Sequence, residues 1–192
     1  MSPEAVAAGT MLYVEGAPAD RVIYVVDGIV GLWRDAGDDR GAGVPWATRR
    51  GGTMLGSEGL TQQEYSDTAI TLTDVTICTS PRERFWQWAS ESTLDAARAV
   101  MEVVIRTHCR EEPRPSSAEG TATRRIARWL ADESRGGLGP PIPRAVAAGL
   151  LGMLPETFSR GLAKLATRGA IAVSRKEIRI IDAERLLAEA GA

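Results

Sequence analysis

Histidine occurs once and cysteine twice in this chain. Two cysteines, Cys78 and Cys109, are too few for a disulfide framework, and their separation matches no zinc-ligand spacing. Both are expected to be reduced and buried. His108, the single imidazole, falls on what reads as a helix seam. No Gly-x-Ser-x-Gly motif, Gly-rich phosphate loop or evident carboxylate pair is present, so the sequence carries no sign of catalysis. No apolar run approaches the roughly 18 to 20 residues a membrane helix needs. Met1 to Gly9 lacks a basic stretch leading into an apolar one, so it does not read as a secretory signal, and a cytoplasmic protein is expected.

What is there is ordinary in bulk and uneven in distribution. Hydrophobic residues make up 44% and charged residues 25%, which fits a globular chain, and 192 residues suffice for one large domain or two small ones. The net charge of −2 hides an asymmetry. Residues 1–120 hold 11 Lys and Arg against 18 Asp and Glu, whereas residues 121–192 hold 12 against 7. An acidic front and a basic back suggest two modules, the second facing a polyanion. A solvated basic face would give the same count.

The front reads as β-structure. Met11 to Val14, Arg21 to Val26, Ile29 to Arg34, Thr68 to Leu72 and Val75 to Cys78 are short runs rich in β-branched and aromatic residues. Asp27-Gly28 signals a hairpin between the second and third. Asp35 to Gly43 is polar and Gly-rich, a loop. Many short strands with frequent glycine turns predict a barrel or sandwich. From Ser92 the period becomes helical. Leu94, Ala97, Met101, Val104 and His108 alternate spacings of three and four, the pattern of a seam between partner helices. A helix lying on its own domain's core would read similarly. Pro113 and Pro115 each remove an amide donor and disfavour helix in the preceding residue, so the helix should end or bend near Glu112. The expected division is a β domain over 1–90, a dimerisation helix and hinge over 91–120, and a separate domain over 121–192.

That last segment carries the pattern with a function. Helices are expected over Ala122 to Ser134, Pro143 to Leu151 and Pro155 to Thr167, with Gly152 breaking the second and Gly169 following the third. Ile171 to Val173 and Ile178 to Ile180 flank a polar turn, and Asp182 caps a last helix, Ala183 to Ala190. Helix, tight turn, helix and β-hairpin make a winged helix-turn-helix, whose second helix enters the DNA major groove N-terminus first. Glu156, Ser159 and Arg160 share one face of that helix. Arginine can pair with both acceptors of guanine, and glutamate can accept from the cytosine amino group. Thr157, Arg168, Arg175 and Lys176 suit phosphate contacts. Alternatively, Glu156 complements the helix dipole and Arg160 is its salt-bridge partner.

The chain resembles the cyclic-AMP receptor/FNR superfamily of bacterial transcription regulators. The resemblance rests on Gly152-Met153-Leu154-Pro155-Glu156-Thr157-Phe158-Ser159-Arg160 and Leu165 through Gly169-Ala170-Ile171. At the front it rests on Gly9 through Gly16, Tyr24 through Val30, Gly51 through Gly56, and Ser80 through Phe85. It implies an α+β chain: a cyclic-nucleotide-binding-type β-roll, a long dimerisation helix and a C-terminal winged helix-turn-helix. It further implies a homodimer on double-stranded DNA, with RNA polymerase a candidate further partner. Glu156, Ser159 and Arg160 become the base readers of a two-fold symmetric, TTGA-like site.

The departures from the family concern the effector. Nucleotide-binding members carry a glutamate for the ribose and an arginine for the cyclic phosphate. Here the corresponding pocket residues are Gly56, Ser57, Glu58, Asp67 and Thr68, and Asp67 stands where the arginine should be. A carboxylate repels a phosphate, and nothing nearby in the sequence supplies the missing donor. Cyclic AMP is therefore not expected. An FNR-type iron–sulfur cluster needs four cysteines, and is not expected either. A haem would draw its axial ligands from His108, Cys78, Cys109 or a methionine. The rival reading is a small-molecule-binding β-roll whose C-terminal domain has weak or lost DNA binding.

Overall fold

The computed structural model describes residues 2–34, 45–109, 120–134, 141–174 and 177–191. The loop expected over 35–43, the prolines at 113 and 115 and the linker to Gly120, the loop expected over 135–141, and Arg175 and Lys176 fall largely or wholly outside them. The chain divides into two compact units, Met1–Glu112 and Pro113–Ala192.

In the first unit, eight strands build two antiparallel four-stranded sheets. One is ordered β1 (Glu4–Val6), β8 (Val75–Pro81), β3 (Arg21–Asp27), β6 (Thr53–Leu55). The other is ordered β2 (Met11–Tyr13), β7 (Thr68–Thr71), β4 (Ile29–Trp33), β5 (Ala47–Arg50). Asp27-Gly28 does not close a hairpin. It is a corner where the chain leaves one sheet for the other, since β3 pairs with β6 and β8 while β4 pairs with β5 and β7. Gly28 takes φ +91°, and a Cβ there would lie 2.5 Å from the Asp74 carbonyl oxygen, so only glycine makes this corner. Alternate residues of the strands, among them Ile23, Val25, Val30, Leu32, Ala69 and Ile77, fill the space between the sheets.

The helical stretch starts earlier than Ser92. Pro81 opens α1 (Arg82–Glu91), and Ser92 is extended, so a break separates it from α2 (Leu94–Cys109). The Thr107 hydroxyl accepts the Met54 amide at 3.0 Å and donates to the Val103 carbonyl at 2.8 Å, which fastens α2 to β6. Val100, Val103 and Val104 pack on the buried Val22, Met54 and Phe85. Val104, expected on the seam with a partner helix, therefore faces its own domain. Leu94, Ala97 and Met101 are exposed, and Ile105 continues their stripe. The spacing alone could not separate these two faces, because they lie only about 100° apart around the helix.

The second unit comprises α3 (Ala122–Glu133), α4 (Arg144–Leu150), α5 (Pro155–Thr167), the hairpin β9 (Ile171–Val173) and β10 (Ile178–Ile180), and α6 (Ala183–Ala190). Thr121 caps α3 by accepting the Arg124 amide, and Asp182 caps α6 by accepting the Arg185 amide. The Ala190 carbonyl at the end of α6 accepts from both Arg124 and Arg128, placing positive charge at the negative pole of that helix. Ile126, Leu130, Phe158, Leu162, Leu165 and Leu186 are essentially inaccessible and form its core. Helices α3 and α5 touch closely at Gly161, where a Cβ would sit 2.3 Å from Ile126 Cδ1.

Candidate nucleic-acid interface and effector pocket

The turn between α4 and α5 is set by Gly152, at φ +57°, whose amide donates to the Gly149 carbonyl at 2.8 Å. Arg125 of α3 donates to the Leu151 carbonyl, tying the turn to the domain. Pro155 then begins α5 at its first position, where a missing amide hydrogen is harmless. Phe158, Gly161, Leu162 and Leu165 are buried, and Trp129 meets the Phe158 ring edge-on at 5.9 Å. That anchoring fixes the rotation of α5 and turns Glu156, Ser159 and Arg160 outward, all exposed. Among the described residues, no ion pair joins Glu156 to Arg160. The arginine Nη2 reaches the Thr157 hydroxyl at 3.4 Å. The salt-bridge alternative for this pair is not what the structure displays.

The other expected DNA contacts fare unevenly. Thr157 is half-buried beside Arg160. Arg168 is held by Glu189 of α6, so its charge already has a counterion within the domain. Lys164, which the sequence reading passed over, is exposed one turn after Arg160 on the same face; the spacing 156, 160, 164 was the available signal. Arg144, also missed, reaches from the start of α4 to the Ser174 carbonyl, where the turn of the hairpin begins.

A cavity of about 80 Å³ lies in the first unit, lined by Tyr13, Arg34, Trp46, Arg49, Glu58 and Asp67 among others. Of the expected pocket residues, Gly56, Ser57, Glu58 and Asp67 line it. Thr68 does not, and its hydroxyl instead accepts the Glu15 amide at 3.0 Å. Asp67 is buried and accepts from the Tyr13 hydroxyl at 3.1 Å. Burial, followed by the charge of Glu58, pushes the Asp67 carboxyl up to about 6, while the Tyr13 hydrogen bond, Arg34 and Arg49 pull it the other way. Burial and the same carboxylate push the Tyr13 phenol up.

The absence of a nearby cation does not survive folding. Arg34, just past β4, lies 3.8 Å over the Trp46 ring, and the buried Arg49 of β5 lies 5.7 Å from it. Both come from sequence remote from Asp67, which is why a local reading missed them. Glu58 Oε1 and Trp46 Nε1 are buried in this region without a protein partner. The fit to a cyclic nucleotide is poor: ligand sites usually span roughly 300–1,000 Å³, and two carboxylates face this smaller space. Of the residues proposed to ligate haem, Cys78 sits half-buried on β8; the side chains of His108 and Cys109 lie outside the description. Among the described residues, no group of three or more His, Cys, Asp or Glu is placed to hold a metal, and no helix is long and apolar enough to cross a membrane.

Residues 3–92 match the cyclic nucleotide-binding domain family and residues 124–189 the Crp-like helix-turn-helix domain family. Nothing matches among curated proteins. The fold is similar to that of FixK2 from Bradyrhizobium japonicum, at 22% identity and a TM-score of 0.82 over 100% of this chain and 98% of that one. A CRP-family transcriptional regulator from Thermus thermophilus gives 22% and 0.79 over 98% and 97%. CLP, the c-di-GMP-responsive global regulator of Xanthomonas campestris, gives 21% and 0.69 over 93% of each. A cyclic nucleotide-binding-type domain followed by a Crp-like helix-turn-helix, on this fold from end to end, makes the chain a member of the CRP/FNR family of transcription regulators.

Proposed function

We propose that the chain is a cytoplasmic, non-enzymatic regulator that acts as a homodimer, binds a palindromic TTGA-like site through α5, and does so without cyclic AMP. One observation carries the reading: Phe158, Leu162 and Leu165 hold α5 by its buried face, which leaves Glu156, Ser159 and Arg160 together on the exposed one. A helix fixed in rotation presents base-reading groups at a defined angle, which specificity requires. Thr157 and Lys164 suit the flanking phosphates, as do Arg175 and Lys176. Arg168 joins them only if its pair with Glu189 opens. Dimerisation is supported by the exposed stripe Leu94, Ala97, Met101 and Ile105 on α2. Independence from cyclic AMP is supported by the small cavity and by Asp67 and Glu58 facing it.

Arg160→Ala tests the central observation. It should lose discrimination at one guanine and cost roughly 1–3 kcal/mol on the specific site, read by fluorescence anisotropy against matched and random duplexes. Equal losses on both would remove Arg160 from base reading.

A second reading is favoured by the partnerless Glu58 Oε1 and Trp46 Nε1: the β-roll binds a small polar effector and the C-terminal domain contributes little. The fold accommodates effectors other than cyclic AMP, as the c-di-GMP-responsive regulator of Xanthomonas campestris indicates. DNA binding with little or no dependence on salt would favour this second reading.

A further inference from the structure

Buried polar atoms are partnered with few exceptions, and the cavity of the first unit is lined by two residues that carry one. Glu58 Oε1, an acceptor, and Trp46 Nε1, a donor, are both buried without a partner among the described residues. Charges of both signs surround them. One group is acidic: Glu58 acts on Tyr13 and on Asp67, which is only 4% exposed. The other is basic: Arg34 and the buried Arg49 gather about the Trp46 ring.

The two groups do not cancel. Burial and the charge of Glu58 outweigh the arginines and hold the Asp67 carboxyl up at about 6, so the acidic group still lacks positive charge. Trp46 Nε1, beside two guanidinium groups, still lacks an acceptor. A ligand of a single charge meets the group of its own sign. Water fills the hydrogen bonds but brings no charge to the acidic group. A zwitterion with N–H donors answers both needs, and its charge-assisted bonds are roughly twice as strong as neutral ones. Size narrows the class further. At roughly 10–15 Å³ for each water-sized occupant, a cavity of about 80 Å³ has room for about five to eight heavy atoms, the range from glycine to valine. We propose, resting on the reading of the β-roll as an effector domain, that this cavity binds a small free α-amino acid, with its ammonium on Glu58 Oε1 and its carboxylate on Trp46 Nε1 and Arg34.

The test is isothermal titration calorimetry on the full-length protein with glycine, alanine, serine, proline, threonine and valine. At least one should bind saturably. For that size class, alaninamide, which lacks the carboxylate, and lactate, which lacks the ammonium, should bind at least about tenfold more weakly than alanine. Glu58→Gln keeps an acceptor and removes the charge, and should weaken amino-acid binding by about tenfold. Trp46→Phe removes a neutral donor and should weaken it about fivefold. The comparison of alanine with alaninamide and lactate uses the unaltered protein, so it decides the matter even if a variant fails to fold. Lactate or alaninamide binding as tightly as alanine, or amino-acid binding unchanged in a folded Glu58→Gln protein, would overturn the proposal. Glycerol and cyclic AMP separate it from its premise. If either binds, loses binding in Glu58→Gln, and no amino acid binds, the β-roll is an effector domain for another class and only the amino acid falls. If none of these solutes binds, the cavity holds water alone, and the proposal falls together with the effector reading.

Discussion

Asp67 shows how one residue can be read correctly in type and incompletely in setting. Its identity argued against a cyclic phosphate, and the folded pocket adds Glu58 on the same side of that argument. Its environment, however, includes Arg34 and Arg49, brought from another part of the chain by pairing of β4 with β5. The Asp67 carboxyl titrates near 6 rather than at its ordinary value of 3.8. Because the folded state holds the proton more tightly than the unfolded chain, this group favours folding most below pH 4, and that contribution is lost as the pH rises through about 6. Asp67→Asn keeps an acceptor for the Tyr13 hydroxyl and removes the charge. We predict that it stabilises the first unit at pH 7 by up to about 2 kcal/mol, and that the gain fades as the pH is lowered from 6 to 4, seen in denaturant titrations at stepped pH. A gain that persisted at pH 4 would mean the charge is not its source.

At the scale of elements, α2 carries two jobs on adjoining faces. Val100, Val103, Val104 and Thr107 bind it to its own β-roll, while Leu94, Ala97, Met101 and Ile105 remain outside. The periodicity of the sequence found the helix and most of the outer stripe. It put Val104 with the outer stripe, whereas the side chain packs on its own domain, because a Val103-Val104-Ile105 run offers an apolar residue in every direction. If the outer stripe is the dimer seam, Ile105→Glu should shift the protein towards monomer in sedimentation velocity, with the β-roll still folded. Val104→Ala should do the reverse, lowering the stability of the unit by about 1 kcal/mol with the association constant unchanged. An exchange of these two outcomes would put the seam on the Val104 face. The α5 register, by contrast, was legible in full. Phe158 and Leu162 at a four-residue spacing left only one face for Glu156, Ser159 and Arg160, and local pattern sufficed. The hairpin expected at Asp27-Gly28 failed for the opposite reason: strand partners are chosen by the whole sheet, and no two-residue signal reveals that β3 and β4 join different ones.

For the molecule as a whole, the acidic front and basic back of the sequence coincide with two units of different kind, one matching a cyclic nucleotide-binding domain and one a Crp-like helix-turn-helix. Turn glycines, helix caps and strand-like runs were enough to read that order of domains from sequence. The pocket was not, since Tyr13, Arg34, Trp46, Arg49 and Asp67 converge from four strands or their ends. The central claim is that this protein reads a symmetric site through α5 and needs no cyclic AMP to do so. Selection of binding sites from random duplex DNA by the purified protein, with and without cyclic AMP, tests it most directly. The account predicts the same two-fold symmetric, TTGA-like sequence under both conditions. Enrichment only when cyclic AMP is present, or of no sequence at all, would contradict it.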